Sequence, residues 1–537
     1  MQMEIPDRGH KSLGGKSESP GQAKNFIFKQ LQNWIFPLGL TLIVALRVVF
    51  WLPSELSFHN FAFMDLGSFQ HVDRLIGLGL RPGVDFGYTY GLLPVLLQHL
   101  CFAAFGSSHW ITLGMLVLYL LLMLTFWSLL TRDIGQSWAN FGILLGLCDM
   151  MIFFVPWPPT LAHMLMKISL AFSLYFFMKQ RLSLALSIAA LGALAVPSLP
   201  IVLTILIALA IAWEWWHAPV RAVRGLVTKL APAAVMYAGA VLIMVAFFGW
   251  RAVLQSLIPA GGARLYRAMN FGIFGQGRYF LHPPGAHLSY YLLTPAGIWI
   301  SCSILLVVFG CTGALRIART GKLTGLPAFV VVCCALHLIF VFAAYGNYLS
   351  FELFSFILTA GVLAGVSDLT SRRLKIALSS LLLVFGLLSQ VSGIKEGLQL
   401  WKSESTSPAT AFLYAPNDFQ PEWKSVLSIS KNRRVFLLAY GMGVDSYYPE
   451  IGTPQSWFLL PGLTLPREDS YVLQQIRAAD VVVEETEVTT RYIDNNKEWQ
   501  AALGDFPVKV SGRYFRIWTK DQTAGTDLLK TGEFRSR

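Results

Sequence analysis

The chain has 537 residues, 55% of them hydrophobic and only 13% charged, with a mean hydropathy of +0.55 and a formal net charge of +12. Soluble proteins carry about 25% charged residues, so this composition excludes an ordinary soluble domain and indicates a polytopic membrane protein. In a soluble chain the positive charge would suggest nucleic acid; here many of the basic residues sit in short loops between apolar runs, where topology accounts for them and no nucleic-acid partner is expected.

Residues 1–33 are polar and basic and are expected to be disordered and cytoplasmic. About thirty polar residues ahead of the first apolar run, with no small-residue cleavage site behind it, do not read as a cleavable signal peptide. Apolar runs follow near 34–52, 110–130, 138–155, 161–178, 182–196, 201–216, 230–250, 291–315, 326–345, 349–366 and 374–391. Most have the roughly 17–25 residues that a bilayer core requires. The pair at 182–216 is short and divided by Pro197-Ser198-Leu199-Pro200, so it reads as one helix or two. The basic residues decide. Arg132, Lys179, Arg181, Arg221, Arg224, Lys229, Arg316, Arg319, Lys322, Arg372, Arg373 and Lys375 fall in alternate loops, together with the N-terminal Arg8, Lys11, Lys16, Lys24 and Lys29. The short loops 156–160, 197–200 and 346–348 carry no Lys or Arg. The positive-inside rule then requires two passes at 182–216. The expected fold class is mainly α: a polytopic membrane protein with about eleven transmembrane helices over 34–395, N-terminus inside. The loops 53–109 and 251–290 fall on the outer face.

From about Lys402 the composition becomes that of a soluble unit. Strands are predicted at Val435–Tyr440, Trp457–Leu460, Val481–Val483 and Tyr514–Trp518, and helices near Glu422–Ser430, Glu468–Ala479 and Lys497–Leu503. The alternation predicts a small α/β outer-face domain over 396–520 with a partly parallel sheet, followed by a flexible tail at 521–537. Gly441-Met442-Gly443 follows the first of these strands without the rest of a dinucleotide fingerprint, so a tight turn is favoured over a nucleotide site. The six cysteines all lie in apolar segments, with no disulfide framework and no zinc spacing; Cys333-Cys334 are expected to face lipid or core.

The first long break between apolar runs, 61–106, concentrates the candidate chemistry. Asp65 stands in apolar company after Phe61, Phe63 and Met64, where an acid at the membrane surface is costly without work or a partner. On spacing alone it reads equally as the cap of a helix over Leu66–Ile76. Asp73, inside that helix beside Arg74, reads as a solvated surface acid. Asp85, in Gly83-Val84-Asp85-Phe86-Gly87, reads either as a functional acid or as a turn residue bonding its own backbone.

The order is one span, an aromatic stretch ending in Asp65, then a helix. Gly79-Leu80-Arg81-Pro82-Gly83-Val84-Asp85-Phe86 and Tyr90-Gly91-Leu92-Leu93-Pro94 come next, followed by a helix ending Phe105-Gly106. This resembles the first outer loop of the GT-C glycosyltransferases, and in particular the polyprenyl-phosphate-sugar-dependent branch that includes protein O-mannosyltransferases and aminoarabinose transferases. That branch shows Asp-Glu where this chain has Asp65-Leu66, and a Tyr where Gly83 stands. Gly346-Asn347-Tyr348 and the stretch Val435–Leu460 resemble later parts of the same family.

The resemblance implies an inverting glycosyl transfer from a polyprenyl-phosphate-linked sugar to a glycan, lipid or protein acceptor, with membrane lipids as surroundings. It implies Asp65 as the base, with Asp85 as second candidate. A departing lipid phosphate needs cations, and the 251–290 loop offers Arg251, Arg264, Arg267, Arg278 and His282 among glycines and prolines suited to a lid. The same arginines read alternatively as a solvated surface beside anionic headgroups. No cofactor is expected; a divalent ion bridging carboxylate and phosphate has no ligand cluster in its support. Asp149 and Lys167 lie nine residues either side of Pro158, so both should sit about 12 Å below the outer surface on antiparallel helices, as a buried structural ion pair. Arg47 and Glu352 are expected to snorkel, and His163 to be a satisfied core residue. A lipid or polysaccharide transporter and a catalytically inactive scaffold of GT-C type are the alternatives. Short cytoplasmic loops favour a bacterial inner membrane.

Overall fold

The computed structural model describes residues 20–148, 160–217, 223–258, 284–342, 348–406, 413–459, 464–486 and 496–536. It is mainly helical, with a small sheet region toward the C-terminus. The long helices are α1 (Pro20–Glu55), α4 (His109–Ile134), α6 (Leu161–Met178), α8 (Leu199–His217), α9 (Val223–Phe248), α12 (Pro295–Thr320), α13 (Gly325–Phe342), α14 (Tyr348–Asp368) and α15 (Arg372–Ser403). Between them lie the shorter α2 (Asp65–Gly77), α3 (Leu93–Phe105), α5 (Trp138–Gly146), α7 (Leu182–Ala193), α10 (Trp250–Leu257) and α11 (Leu288–Leu293). α1 begins at Pro20, inside the stretch expected to be disordered.

Eight helices among the described residues are long and apolar enough to cross a membrane: the Phe36–Ser54 part of α1, and α4, α6, α8, α9, α12, α13 and α15. The other three expected spans fall short of that measure for separate reasons. α5 is described for nine residues, and 149–155 of its expected span lies outside the described residues. α7 has only twelve residues, and the apolar part of α14 among the described residues, Ser355–Asp368, is also too short. The 182–217 stretch forms two helices, α7 and α8, separated at Leu194–Ser198. Many of the exposed large side chains, such as Leu118 and Leu121 on α4 and Leu242 and Phe247 on α9, lie on these helices, as a lipid-facing surface requires. Cys333 and Cys334 are both buried in the core.

The C-terminal unit is built on a five-stranded sheet of order β3-β4-β6-β5-β7, where β3 is Val435–Leu438, β4 Val481–Glu485, β5 Val508–Ser511, β6 Phe515–Thr519 and β7 Arg535–Ser536. β3 pairs parallel to β4 with Val435 opposite Val481; the remaining pairs are antiparallel. Helices α16 (Phe419–Ser430), α17 (Pro466–Ala478) and α18 (Lys497–Gly504) lie close to expectation. Trp457–Leu460, by contrast, is not a strand over its described residues. Phe458 makes a single bridge to Gly441, because Trp457 and Phe458 turn into the core shared with the first loop. The tail expected to be flexible belongs to the fold: Gln522–Lys530 is helix α19, and Arg535–Ser536 closes the sheet edge against β5.

Two joints fix this unit to the helices. A short ribbon of β1 (Glu404–Thr406) and β2 (Tyr414–Pro416) grows directly from the end of α15. Tyr414 N–H donates to the Leu56 carbonyl at 3.0 Å, just past the end of α1.

Candidate active site between the first loop and the C-terminal domain

Phe58, Phe61 and Phe63 are fully buried after α1, with His59–Phe63 in a π-helical turn. The rings of Phe58 and Phe63 pack edge-on to each other, and both pack against Trp423 of α16. Met64 is extended, and α2 starts at Asp65, so the acid occupies the first helical position and not the cap. The N-terminus of a helix favours a negative charge. The Asp65 side chain itself lies outside the described residues.

The C-terminal domain closes directly over this turn. Gly441 N–H donates to the Phe63 carbonyl at 2.6 Å. A Cβ on Gly441 would stand 2.6 Å from that oxygen and 2.8 Å from the Met64 carbonyl, and one on Gly443 would stand 2.6 Å from the Gly67 Cα. The Gly441-Met442-Gly443 turn is therefore glycine because two backbones meet there, one on each side of Asp65.

A polar clasp holds the two parts together one turn further along α2. His71 Nδ1 lies 2.8 Å from Asp445 Oδ2, and His71 Nε2 lies 3.0 Å from the Pro454 carbonyl. Both ring nitrogens thus face an oxygen of the C-terminal domain. Arg74 reaches Asp445 Oδ2 at 3.0 Å and its carbonyl at 3.1 Å, and Thr453 Oγ1 donates to the same carboxylate at 3.1 Å. Burial opposes ionisation of Asp445, but His71, Arg74 and Thr453 outweigh it and hold the carboxyl below its usual range. Asp73, expected to be solvated, pairs instead with His99 of α3 at 2.8 Å.

The glycine- and proline-containing stretch after α2 is a set of mounts. Gly83 has φ +74°. Asp85 Oδ2 accepts from Arg81 N and Nε at 2.8 and 3.0 Å, and Oδ1 from Arg467 of α17 at 2.7 Å. Burial acts against its charge, yet hydrogen bonds and charge from Arg81, with Arg467 beyond, depress the carboxyl below its usual range. Gly87 N–H donates to Glu468 Oε2 at 2.8 Å, and Leu465 N–H to the same oxygen at 2.5 Å. Burial pushes Glu468 up to about 7 despite these donors. Gly91 N–H and Leu93 N–H then donate to the Ala195 and Leu194 carbonyls at 2.9 and 3.1 Å, on the turn between α7 and α8. A Cβ on Gly91 would fall 1.8 Å from the Leu194 oxygen.

Between these mounts stands an aromatic wall. Trp457 lies 4.8 Å from Tyr88 and 5.0 Å from Tyr90, and Tyr90 packs edge-on to His163 at 5.0 Å. Trp457 Nε1–H donates to Ser68 Oγ at 3.1 Å, and Tyr440 stacks on Phe458 at 4.7 Å. Glu485 of β4 accepts from Tyr440 N at 3.0 Å and lies 3.4 Å from His59 Nδ1. Acids, histidines and aromatic faces from the first loop, α6 and the C-terminal domain thus converge at one junction of the fold.

The remaining sequence candidates distribute as follows. Arg251 is exposed on α10, with its guanidinium 5.5 Å from the Trp250 ring; Gln255 of the same helix lies against Gly83, so α10 borders the first loop. Arg264, Arg267, Arg278, His282 and Asp149 lie outside the described residues. Lys167 is buried on α6, one turn below His163. Among the described residues no group of three His, Cys, Asp or Glu side chains could hold a metal ion. Sequence reading missed Asp445, Glu468 and Arg467 and the role of His71, because each acquires its partner from a residue some 370–390 positions away. No protein-family model and no curated protein matches this chain.

Proposed function

We propose that this chain is an integral-membrane glycosyltransferase that moves a sugar from a polyprenyl-phosphate donor to an acceptor at the outer face of the membrane. The observation that carries this reading is the closure of the Asp65 turn between membrane helices and a folded aqueous domain, through Gly441 on Phe63 and His71 on Asp445. Such a junction suits a substrate with a lipid half and a sugar half. Asp65 is the base in this scheme, accepting the acceptor's proton as the anomeric carbon is attacked and the lipid phosphate leaves. Asp85, held by Arg81 and Arg467, serves as a clamp on the loop: a carboxylate kept ionised by two guanidinium partners takes up a proton poorly. Arg251, with Arg264, Arg267, Arg278 and His282, would receive the phosphate. Tyr90, partly buried and packed edge-on to Trp457, offers an aromatic contact for the sugar.

We further read eleven spans with the N-terminus inside, in a bacterial inner membrane. The bonds from Gly91 and Leu93 to the Leu194–Ala195 turn support this parity, since they put that turn on the same side as the first loop. The test is release of free polyprenyl phosphate from a panel of undecaprenyl- and decaprenyl-phosphate sugars, using purified protein in nanodiscs. Release by the wild type that is lost in Asp65→Asn, with unchanged thermal unfolding, is the expected result. Saturable lipid binding without release from any donor would replace this reading with the transporter or the inactive scaffold.

A further inference from the structure

α10 starts at Trp250, just past the end of α9, and the break between them is Gly249 at φ +82°. The height of this joint follows from α9 itself. The last charged side chain of α9 is Lys229, which reaches Glu214 of α8 at 2.6 Å. From Lys229 to Gly249 the chain advances twenty residues, a rise of about 30 Å, which is the thickness of a hydrocarbon core. Gly249 therefore falls at the membrane boundary opposite the Lys229 end. The next residue is a tryptophan, the side chain that gathers at such boundaries.

The surface of α10 divides into three sectors. Ala252, Val253 and Ser256 are buried, and the first two join the cluster that holds Phe248 of α9 with Phe86 and Val95 of the first loop. Trp250, Leu254 and Ile258 recur every fourth residue, so at about 100° per residue they form one strip about 80° wide. They are 62, 48 and 58% exposed. Arg251 and Gln255 are exposed along the neighbouring line, and Gln255 lies against Gly83 of the first loop. The polar sector is thus turned to the first loop, and the apolar strip lies beyond it. The strip also begins three residues after Phe247, on the lipid-facing surface of α9, and continues that surface past the turn at Gly249. An exposed apolar strip beside a polar one, on a helix held at boundary height, is the form of a helix lying in the membrane surface.

We propose that α10 lies in the membrane surface on the side of the first loop, with phospholipid as its occupant. Acyl chains cover Trp250, Leu254 and Ile258, and headgroups lie at the level of Arg251, whose guanidinium is 5.5 Å from the Trp250 ring. Through Gln255 at Gly83, the first loop is seated on lipid. The inference rests on the spanning helices and not on the proposed sugar transfer.

The test places the photo-crosslinker p-benzoylphenylalanine at single positions of the full chain, in nanodiscs of phosphatidylcholine and phosphatidylglycerol, and reads adducts by mass spectrometry after illumination. Leu242, on the lipid-facing surface of α9, is the positive control. We expect phospholipid adducts at Leu254 close to the level at Leu242 and several-fold above that at Gln255. Ile258 gives the same reading if the Leu254 variant folds poorly. Adducts at Leu242 with none at Leu254 or Ile258 would overturn the membrane seat. Equal adducts at Leu254 and Gln255 would overturn the orientation, and crosslinks from Leu254 to a second copy of the chain in place of lipid would overturn phospholipid as the occupant.

Discussion

His71 Nδ1 and Asp445 Oδ2 lie 2.8 Å apart, both side chains 2% exposed, across 374 residues of chain. Removing one member of a buried ion pair leaves the other charge without compensation, at a typical cost of 3–5 kcal/mol. Arg74 remains beside Asp445 in His71→Ala, so we expect about 3 kcal/mol from that variant. Hydrogen exchange at the amides of 435–459 should rise together with those of α2 if the clasp joins the two parts. Exchange confined to α2 would show that the domain is held elsewhere.

The clasp also gives a pH dependence. Asp445 is depressed below its ordinary value of 3.8, so its contribution is complete above that value and is lost as pH falls through the lower folded one. Acid should therefore release the domain before the helices melt, and Asp445→Asn should remove that early transition. A single acid transition identical in both proteins would count against it.

Glu468 runs in the opposite direction. Burial raises it from 4.5 to about 7, so the folded protein favours the neutral acid. Stability is full below about 4.5 and declines as pH rises toward 7, by on the order of 3 kcal/mol at most. Glu468→Gln keeps an acceptor for Gly87 and Leu465 and should flatten the profile over this window. Thermal melts at pH 5 and at about pH 8 give the comparison; a wild-type profile already flat would remove the argument.

The glycines at the backbone crossings should tolerate no side chain. Gly91→Ala places a Cβ 1.8 Å from the Leu194 oxygen, and Gly441→Ala one 2.6 Å from the Phe63 oxygen. Overpacking of this kind costs typically 1–3 kcal/mol. Gly114→Ala on α4 meets nothing within 4 Å and is the control, expected to be neutral. Detergent-solubilised melting temperatures decide, and equal values for the three variants would refute the crossings.

Asp85 and Arg467 should behave as a coupled pair. Asp85 is 11% exposed and Arg467 52%, so solvent screens the interaction and a double-mutant cycle of Asp85→Asn with Arg467→Gln should return below about 1 kcal/mol. Loss of the proposed sugar transfer in Asp85→Asn with no such coupling would restore Asp85 as a direct participant in that proposed reaction.

The apolar runs were legible because each helix must satisfy its own backbone within lipid, and that leaves its length in the sequence. The short α7 was legible only through the charges around it, Lys179 and Arg181 on one side and none at 197–200 on the other. The alternation of β3, α17 and β4 was visible for the same local reason. Trp457 and Phe458 looked like a strand because an aromatic pair before an apolar run has strand composition; their real partners, Tyr88, Tyr90 and Tyr440, come from packing. The same holds at the candidate site. Gly83, Gly91 and Pro94 marked the loop as special, yet nothing local to Asp445 or Glu468 announces that each would meet the first loop.

α15 continues without interruption for 32 residues and passes straight into β1. At about 1.5 Å per residue it is about 48 Å long, well beyond the ~30 Å of a hydrocarbon core. The C-terminal domain therefore rides on a mast, and the stay from Tyr414 to Leu56 braces it from a second direction. A body braced from two directions, and clasped again by His71 on Asp445, does not swing like a door.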